Sequence, residues 1–310
     1  MVTLNKFIKD LNMQIIYAPE GYENIEIKSN EINRPGMQFC GYYKKFKDGR
    51  IQIIGIQEWE YLKELSPEDR KEALEKLFKR DFPAIIFSNN NFVFYEVTEL
   101  AKKYGVTVLS TARNTTRLIT DMILYMDIMF APKVRVHGVL LDIYGVGVLI
   151  TGESGVGKSE TALELIERGH KLVSDDSVIV RNIGGALKGR SPEVTKYFME
   201  IRGVGIVDVG RMFGIGSVMD ERPIDLIVKL ELWDEEKDYE RLGIDDRTVK
   251  VLGQDVIEYN IPVRPGRNSA LIIEAATKSY KQKMYGYNPG IELNERIMKQ
   301  IATRKRGRQQ

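Results

Sequence analysis

Cysteine is nearly absent from this 310-residue sequence. Cys40 is the only one, so no disulfide can close within the chain. A lone thiol fits a reducing compartment such as the cytoplasm, and it reads as a small buried hydrophobe rather than a nucleophile. Histidine is almost as scarce. Two histidines and one cysteine leave too few soft ligands for a dedicated transition-metal site. Charge of one sign is also missing: 46 basic against 44 acidic residues leave a net +2, which gives no global attraction to nucleic acid or to an anionic membrane. No apolar run reaches the length of a membrane span. The opening MVTLNKFIKDLN is amphipathic and lacks the uninterrupted apolar core of a secretion signal. Internal repeats and low-complexity tracts are absent as well.

What is present is the balance of a soluble globular protein, 43% apolar and 29% charged, long enough for two domains. The first 130 or so residues alternate short strands and helices. Residues 51–54 form a strand. Ser66-Pro67-Glu68-Asp69 opens a helix, with Ser66 as cap, Pro67 in the first turn and Asp69 completing a capping box. Residues 83–87 are a short buried strand, 97–104 a helix stopped by Gly105, and 106–109 the next strand. This alternation predicts a small α/β domain, and its spacing shows no catalytic constellation. Residues 115–130 make a long helix that Ala131-Pro132-Lys133 must end, because proline disfavours helix in the residue before it. The boundary falls there, giving an N-terminal α/β domain over 1–131 and a second domain over 132–310.

The second domain begins with two predicted strands, 134–143 and 146–151, joined by Tyr144-Gly145. A glycine-rich loop follows, then a helix to Arg168, a stop at Gly169 and a strand over 171–174. The basic RKRGR at 304–308 reads as a solvated, frayed terminus.

Gly152-Glu153-Ser154-Gly155-Val156-Gly157-Lys158-Ser159 matches G-x-x-x-x-G-K-[ST], the pattern of a phosphate-binding loop. Its glycines let successive N–H groups turn inward around phosphate oxygens, and the following helix adds its positive end. Lys158 supplies a mobile charge for the β- and γ-phosphates, and the Ser159 hydroxyl reaches Mg²⁺. Chance alone produces such a match in roughly one chain per hundred of this length. The context excludes a plain glycine turn: apolar VGVLIT precedes the loop and amphipathic SETALELIERG follows it.

Asp175-Asp176 closes the strand after the loop's helix, at the end where ligands bind in open α/β sheets. Neighbouring strand residues face opposite ways, so one of the pair is expected to aim at the phosphates, either to hold Mg²⁺ or to accept a hydroxyl proton. The bland alternative is a solvated turn. If Tyr144-Gly145 is a two-residue hairpin turn, Ile143 pairs with Val146, and counting back sets His137 opposite Gly152. Without that register His137 would be an ordinary strand histidine. In MEIRGVGI (199–206), Glu200 is a candidate ligand for a hard cation. Pro262-Val263-Arg264-Pro265-Gly266-Arg267-Asn268 is a rigid turn with two guanidiniums, suited to phosphate. Either segment taken singly could be only a loop.

Taken in order, these segments resemble the HPr kinase/phosphorylase family of bacterial carbon regulation. The resemblance rests on VHGVLLDIYGVGVLITGESGVGKSETALELIERGHKLVSDDSV (136–178), MEIRGVGIVDV (199–209), YERLG (239–243), IPVRPGRN (261–268) and, in the first domain, NRPGMQFCGY (33–42). It implies an α/β fold in which a small N-terminal domain precedes a P-loop kinase domain related to phosphoenolpyruvate carboxykinase. It implies Mg²⁺-dependent phosphorylation of a serine on the phosphocarrier protein HPr, with ATP or pyrophosphate as donor. The reverse reaction would be phosphorolysis by inorganic phosphate, yielding pyrophosphate. By the match, His137, Lys158, Asp176 and Arg241 correspond to catalytic residues, and Ser159 and Glu200 to Mg²⁺ ligands. Arg264 and Arg267 fall in the segment tied to phosphorolysis. A cytoplasmic homohexamer tuned by fructose 1,6-bisphosphate is the implied setting. GRMFG at 210–214 and SVIV at 177–180 depart from the family pattern without touching the residues named.

Two other readings stay open on residues alone. One is a small-molecule or carboxykinase-like phosphotransferase, which would turn over without a protein acceptor. The other is a nucleotide-gated regulatory module, which would bind ATP tightly and transfer little.

Overall fold

The computed structural model describes residues 2–237, 246–264 and 266–307, with 301–307 as backbone only. Contacts divide the chain into two compact units, Met1–Ala131 and Pro132–Gln310.

The first unit runs β1 (Val2–Thr3), α1 (Leu4–Asp10), β2 (Gln14–Tyr17), β3 (Glu26–Ile27), β4 (Ile32–Asn33), α2 (Gly36–Phe39), β5 (Ile51–Ile54), α3 (Ile56–Glu64), α4 (Pro67–Phe78), β6 (Ala84–Phe87), α5 (Tyr95–Tyr104), β7 (Thr107–Ser110) and α6 (Thr115–Phe130). Its main sheet has the order β2-β7-β6-β5-β4, parallel except at the β2 edge. Every residue of β5, β6 and β7 is buried, because helices cover both faces. Leu62, Leu74, Leu77 and Val97 pack on one face, and Phe7, Leu118 and Met122 on the other. Helix α4 starts as its sequence requires: the Ser66 hydroxyl accepts from the Asp69 N–H. Gly105 ends α5 in the left-handed conformation. Cys40 corrects an expectation. It is exposed, because at the end of the short α2 it is Phe39 that enters the core.

The second unit contains β8 (Lys133–His137), β9 (Val139–Ile143), β10 (Val146–Gly152), α7 (Lys158–Glu167), β11 (Lys171–Ser174), β12 (Ser177–Ile183), β13 (Ala186–Arg190), β14 (Phe198–Ile201), β15 (Gly205–Asp208), α8 (Val209–Phe213), β16 (Glu221–Pro223), β17 (Leu226–Leu232), β18 (Thr248–Val251), β19 (Gln254–Val263), α9 (Ser269–Met284) and α10 (Pro289–Gly307). A six-stranded mixed sheet, β11-β9-β10-β17-β19-β18, forms its centre. Helices α7 and α9 pack on one face through Ala162, Leu165, Ala270 and Ile273. A four-stranded sheet, β16-β13-β12-β8, packs on the other through Val178, Val180 and Leu187. Helix α10 carries the backbone to Gly307, so the basic tail is helical over most of its length rather than frayed.

The strand expected over 134–143 is two strands in two sheets. Tyr144 and Gly145 both have positive φ and form the two-residue turn, and the register holds from Ile143–Val146 to Val139–Ile150. The ladder then ends. A Cβ at Gly138 would collide with the Ile150 carbonyl, so this glycine permits a close crossing where the chain leaves the central sheet. His137 therefore pairs with Ser177 of β12 and not with Gly152.

Candidate active site

Strand β10 delivers the glycine-rich loop at the carboxyl edge of the central sheet. Its last residue, Gly152, has φ +143° and a Cβ there would strike the Leu230 carbonyl of β17, so no other residue type fits. Gly157, also left-handed, caps α7, and Lys158 opens the helix. The Lys158 ammonium is buried and donates to the carbonyls of Gly152 and Glu153, each at 2.9 Å. The loop thus folds around its own lysine, whose two neutral acceptors are weaker partners than a phosphate's charged oxygens.

One residue on, Ser159 Oγ donates to Asp175 Oδ1 at 3.0 Å. Asp175 is 5% exposed, and its Oδ2 accepts from the Glu200 N–H at 3.2 Å. Burial pushes the Asp175 carboxyl above its ordinary range, against the downward pull of the Ser159 hydroxyl and the backbone N–H groups. This carboxylate ties the first turn of α7 to β14 and sets Glu200 beside the loop.

Strand alternation would send Asp176 to the opposite face. Instead the chain kinks there: Asp176 has φ +62°, and the Ser177 N–H closes back on the Asp175 carbonyl at 2.7 Å. Aspartate tolerates this conformation better than most residues. Both acids consequently line one cleft, where a single aimed carboxylate was expected. They differ in surroundings, since the Asp176 side chain is 73% exposed. His137 Nδ1 lies 3.0 Å from the Asp176 carbonyl oxygen and 3.1 Å from its Oδ1. Both are acceptors, so the tautomer that satisfies them carries its proton on Nδ1.

The cleft has a volume of about 160 Å³ and brings together His137, Ser154, Gly155, Gly157, Lys158, Ser159, Asp175, Asp176 and Glu200. Arg202 joins them, its guanidinium against Gly155. Sequence reasoning passed over Arg202. The signal was there, because Arg202 follows Glu200 by two residues at the end of β14, and alternate strand residues share a face. Of the other loop residues, Glu153 and Val156 line a second cleft on the β17 side, and Gly152 lines neither. Among the described residues no three His, Cys, Asp or Glu side chains are gathered tightly enough to hold a metal ion unaided.

The turn after β19 stands apart. Pro262 and Val263 pair with Glu231 and Leu232 of β17. The Arg264 guanidinium lies over the Trp233 ring, 5.1 Å from its centroid. Arg267 donates to the Pro262 carbonyl at 3.4 Å, and its N–H to the Arg264 carbonyl. Neither guanidinium lines the cleft, and Gly266 is left-handed. The next residue is anchored: Asn268 caps α9 and donates to Glu164 of α7 at 2.6 Å. Arg241 and Pro265 lie outside the described residues.

The architecture is therefore a mixed α/β protein with a glycine-rich loop, its lysine and two carboxylates at one sheet edge. The comparisons with known proteins are specific. Residues 2–126 match the family described as HPr Serine kinase N terminus, and residues 128–297 match HPr Serine kinase C-terminal domain. The chain is 46% identical over 301 residues to the HPr kinase/phosphorylase of Caldicellulosiruptor bescii, covering 97% of each. It is 45% identical to that of Caldanaerobacter subterraneus, covering 97% of this chain and 98% of the relative. With the protein of the same name from Alkaliphilus metalliredigens the identity is 46%, over 97% of each chain. The chain belongs to the HPr kinase/phosphorylase family.

Proposed function

We propose that this chain is a protein kinase and phosphorylase acting on a serine of the phosphocarrier protein HPr. The forward donor is ATP or pyrophosphate. In reverse, inorganic phosphate takes the phosphoryl group and becomes pyrophosphate. The observation that carries this reading is the convergence of Lys158, Ser159, Asp175, Asp176 and His137 on one loop-lined cleft.

The loop N–H groups and the positive end of α7 bind the phosphate chain. Lys158 exchanges its two carbonyl acceptors for phosphate oxygens. Mg²⁺ fits the donor set: the Ser159 hydroxyl and Glu200 carboxylate are the hard oxygens that would hold it, and Asp175 stands behind Ser159. Bound there, the ion would spread the charge of the bridging oxygens. Asp176 takes the proton of the incoming serine hydroxyl as that oxygen bonds to phosphorus and the donor's bridging P–O bond breaks. In reverse a phosphate oxygen bonds to phosphorus, the P–O(Ser) bond breaks, and Asp176 returns its proton to the serine oxygen. His137 holds the Asp176 carboxylate in place.

The family pattern extends the reading to Arg241 as a catalytic cation and to Pro262 through Arg267 as the phosphorolysis segment. It also carries a P-loop kinase domain over 132–310 akin to phosphoenolpyruvate carboxykinase, a cytoplasmic homohexamer and control by fructose 1,6-bisphosphate.

The test is labelled ATP with and without purified HPr, followed by phosphate added to the labelled product. Label on HPr that phosphate converts to pyrophosphate is the expected result. Turnover without HPr, or tight binding with no transfer, would support a small-molecule phosphotransferase or a regulatory module instead.

A further inference from the structure

The sheet β16-β13-β12-β8 has one face in the core and one toward solvent. Val136, Val178, Val180 and Leu187 point inward. Alternate strand residues share a face, so Lys133 and Arg135 of β8, Ile179 and Arg181 of β12, and Lys188 and Arg190 of β13 point outward. The register sets them in two rows. Ile179 lies directly between Arg135 and Arg190, and Arg181 directly between Lys133 and Lys188. We propose that Arg135, Arg181 and Arg190, grouped around Ile179, hold a free phosphate dianion outside the catalytic cleft and so gather the acceptor of phosphorolysis beside it. The inference rests on the phosphorolysis reading given above.

Charge argues first. Directly opposed strand residues have Cβ atoms about 5 Å apart and diagonal ones about 7–8 Å, so these long side chains share one small patch. Glu221 of β16 belongs to the same face, and it takes Lys188 at 3.0 Å. Among the described residues no carboxylate pairs with Lys133, Arg135 or Arg190. Burial, and then the neighbouring charge of Arg190, hold the Arg181 guanidinium below its ordinary value. Like charges opposed across strands destabilise a sheet, and an anion above Ile179 would offset that repulsion. Guanidinium forks match phosphate oxygens two at a time, which suits three arginines to this dianion.

Place argues next. The neighbouring cross-strand pair is Ser177 with His137, and His137 lines the cleft. At about 3.3 Å per residue, Ile179 stands roughly 7 Å from that pair. A phosphate held there is one short step from the reacting groups. Ile179 belongs to SVIV, where the chain departs from the family pattern.

The chemistry of the reverse reaction supplies the use. Its attacking group is a free ion with little surface to dock by, so its rate depends on how often it reaches the cleft. Cations at the rim raise the local concentration of such an ion, and added salt weakens the effect.

The experiment uses two changes on this solvent-facing surface. Ile179→Glu sets a carboxylate between the two arginines, and Arg135→Ser combined with Arg190→Ser removes both of them. Equilibrium dialysis with labelled phosphate, at constant ionic strength, is made on Lys158→Ala, whose loop has lost its own cation. One phosphate per chain is expected to remain there, and either change should weaken it about tenfold or more. With Lys158 intact, either change should raise KM for phosphate in phosphorolysis about three- to tenfold while kcat stays unchanged. KM for ATP in the forward reaction should not move in parallel. No phosphate on Lys158→Ala, or an affinity untouched by both changes, overturns the proposal. An equal rise in KM for ATP does so too, because it marks a general attraction for anions. Displacement of the label by phosphorylated HPr at concentrations far below those of free phosphate would make the face a protein-docking surface instead. If the unsubstituted chain releases no pyrophosphate, the phosphorolysis reading fails, and the dialysis still decides the site.

Discussion

His137 and Asp176 form the most exposed pair in the cleft, and their geometry sets how much each should matter. With 53% and 73% of their side chains exposed, water competes for the 3.1 Å contact in the free protein. Such a pair is worth about 0–1 kcal/mol, at most roughly fivefold in a rate. Docked HPr would exclude that water, and a hydrogen bond to a charged carboxylate then contributes about 1.5–3 kcal/mol, on the order of ten- to a hundredfold. His137→Ala should therefore lower kcat within that window. Asp176→Asn removes the proton acceptor itself and should cost roughly 10²–10⁴. Because His137 acts through Asp176, the double variant should lose little beyond Asp176→Asn. The assay is kcat at saturating HPr and ATP for the four proteins of the cycle. Losses that multiply would refute the reasoning and mean that His137 touches the phosphates independently.

Four further outcomes are expected. Lys158→Ala should abolish both directions, at least about 10²–10³ in each, while circular dichroism stays unchanged, since among the described residues the ammonium bonds only to loop carbonyls; kinase turnover retained by the folded variant would falsify this. Glu200→Gln should raise the half-saturating Mg²⁺ concentration about tenfold without a matching loss of HPr affinity, checked by magnesium titration. Arg267→Ala should slow phosphorolysis more than phosphorylation and raise the phosphate requirement, because free phosphate depends on cations for capture where HPr brings its own docking surface; equal losses with an unchanged phosphate requirement would make the turn merely structural. Burial pushes the Glu274 carboxyl up, but hydrogen bonds from His170 and Tyr144 and the Arg168 charge outweigh it and hold the group below its ordinary value of 4.5. That stability is present above pH 4.5 and is lost as the pH falls through the lower, folded-state value, so Glu274→Gln should destabilise by roughly 1.5–3 kcal/mol at pH 7 in urea unfolding, with the gap closing in acid.

Local chemistry was legible in the sequence wherever the cause was local. Ser66 caps α4, Gly105 stops α5 and Tyr144-Gly145 turns the hairpin in its stated register, because each depends on residues a few positions apart. The loop, too, is a local object, in which one strand end, three glycine-permitted bends and one helix start carry the whole motif. Cys40 was misjudged for want of a partner: only packing decides whether Phe39 or its neighbour enters the core.

By itself the sequence determined the loop, its lysine and serine, the acid pair and the family pattern. The loop, its residues and the acid pair follow from spacing and residue type, the family pattern from the resemblance of whole segments. Tertiary structure decided how the two acids are set, Asp175 buried against Ser159 and Asp176 exposed beside His137. The break at Gly138 moved His137 out of the hairpin ladder and onto β12, and the left-handed kink at Asp176 turned two alternating carboxylates into one lined cleft. Both involve close contacts between chain segments apart in sequence, the Ile150 carbonyl beside Gly138 and the Gly138 N–H donating to the Asp176 carbonyl. Neither contact is encoded by any short stretch, so no local pattern could have announced it.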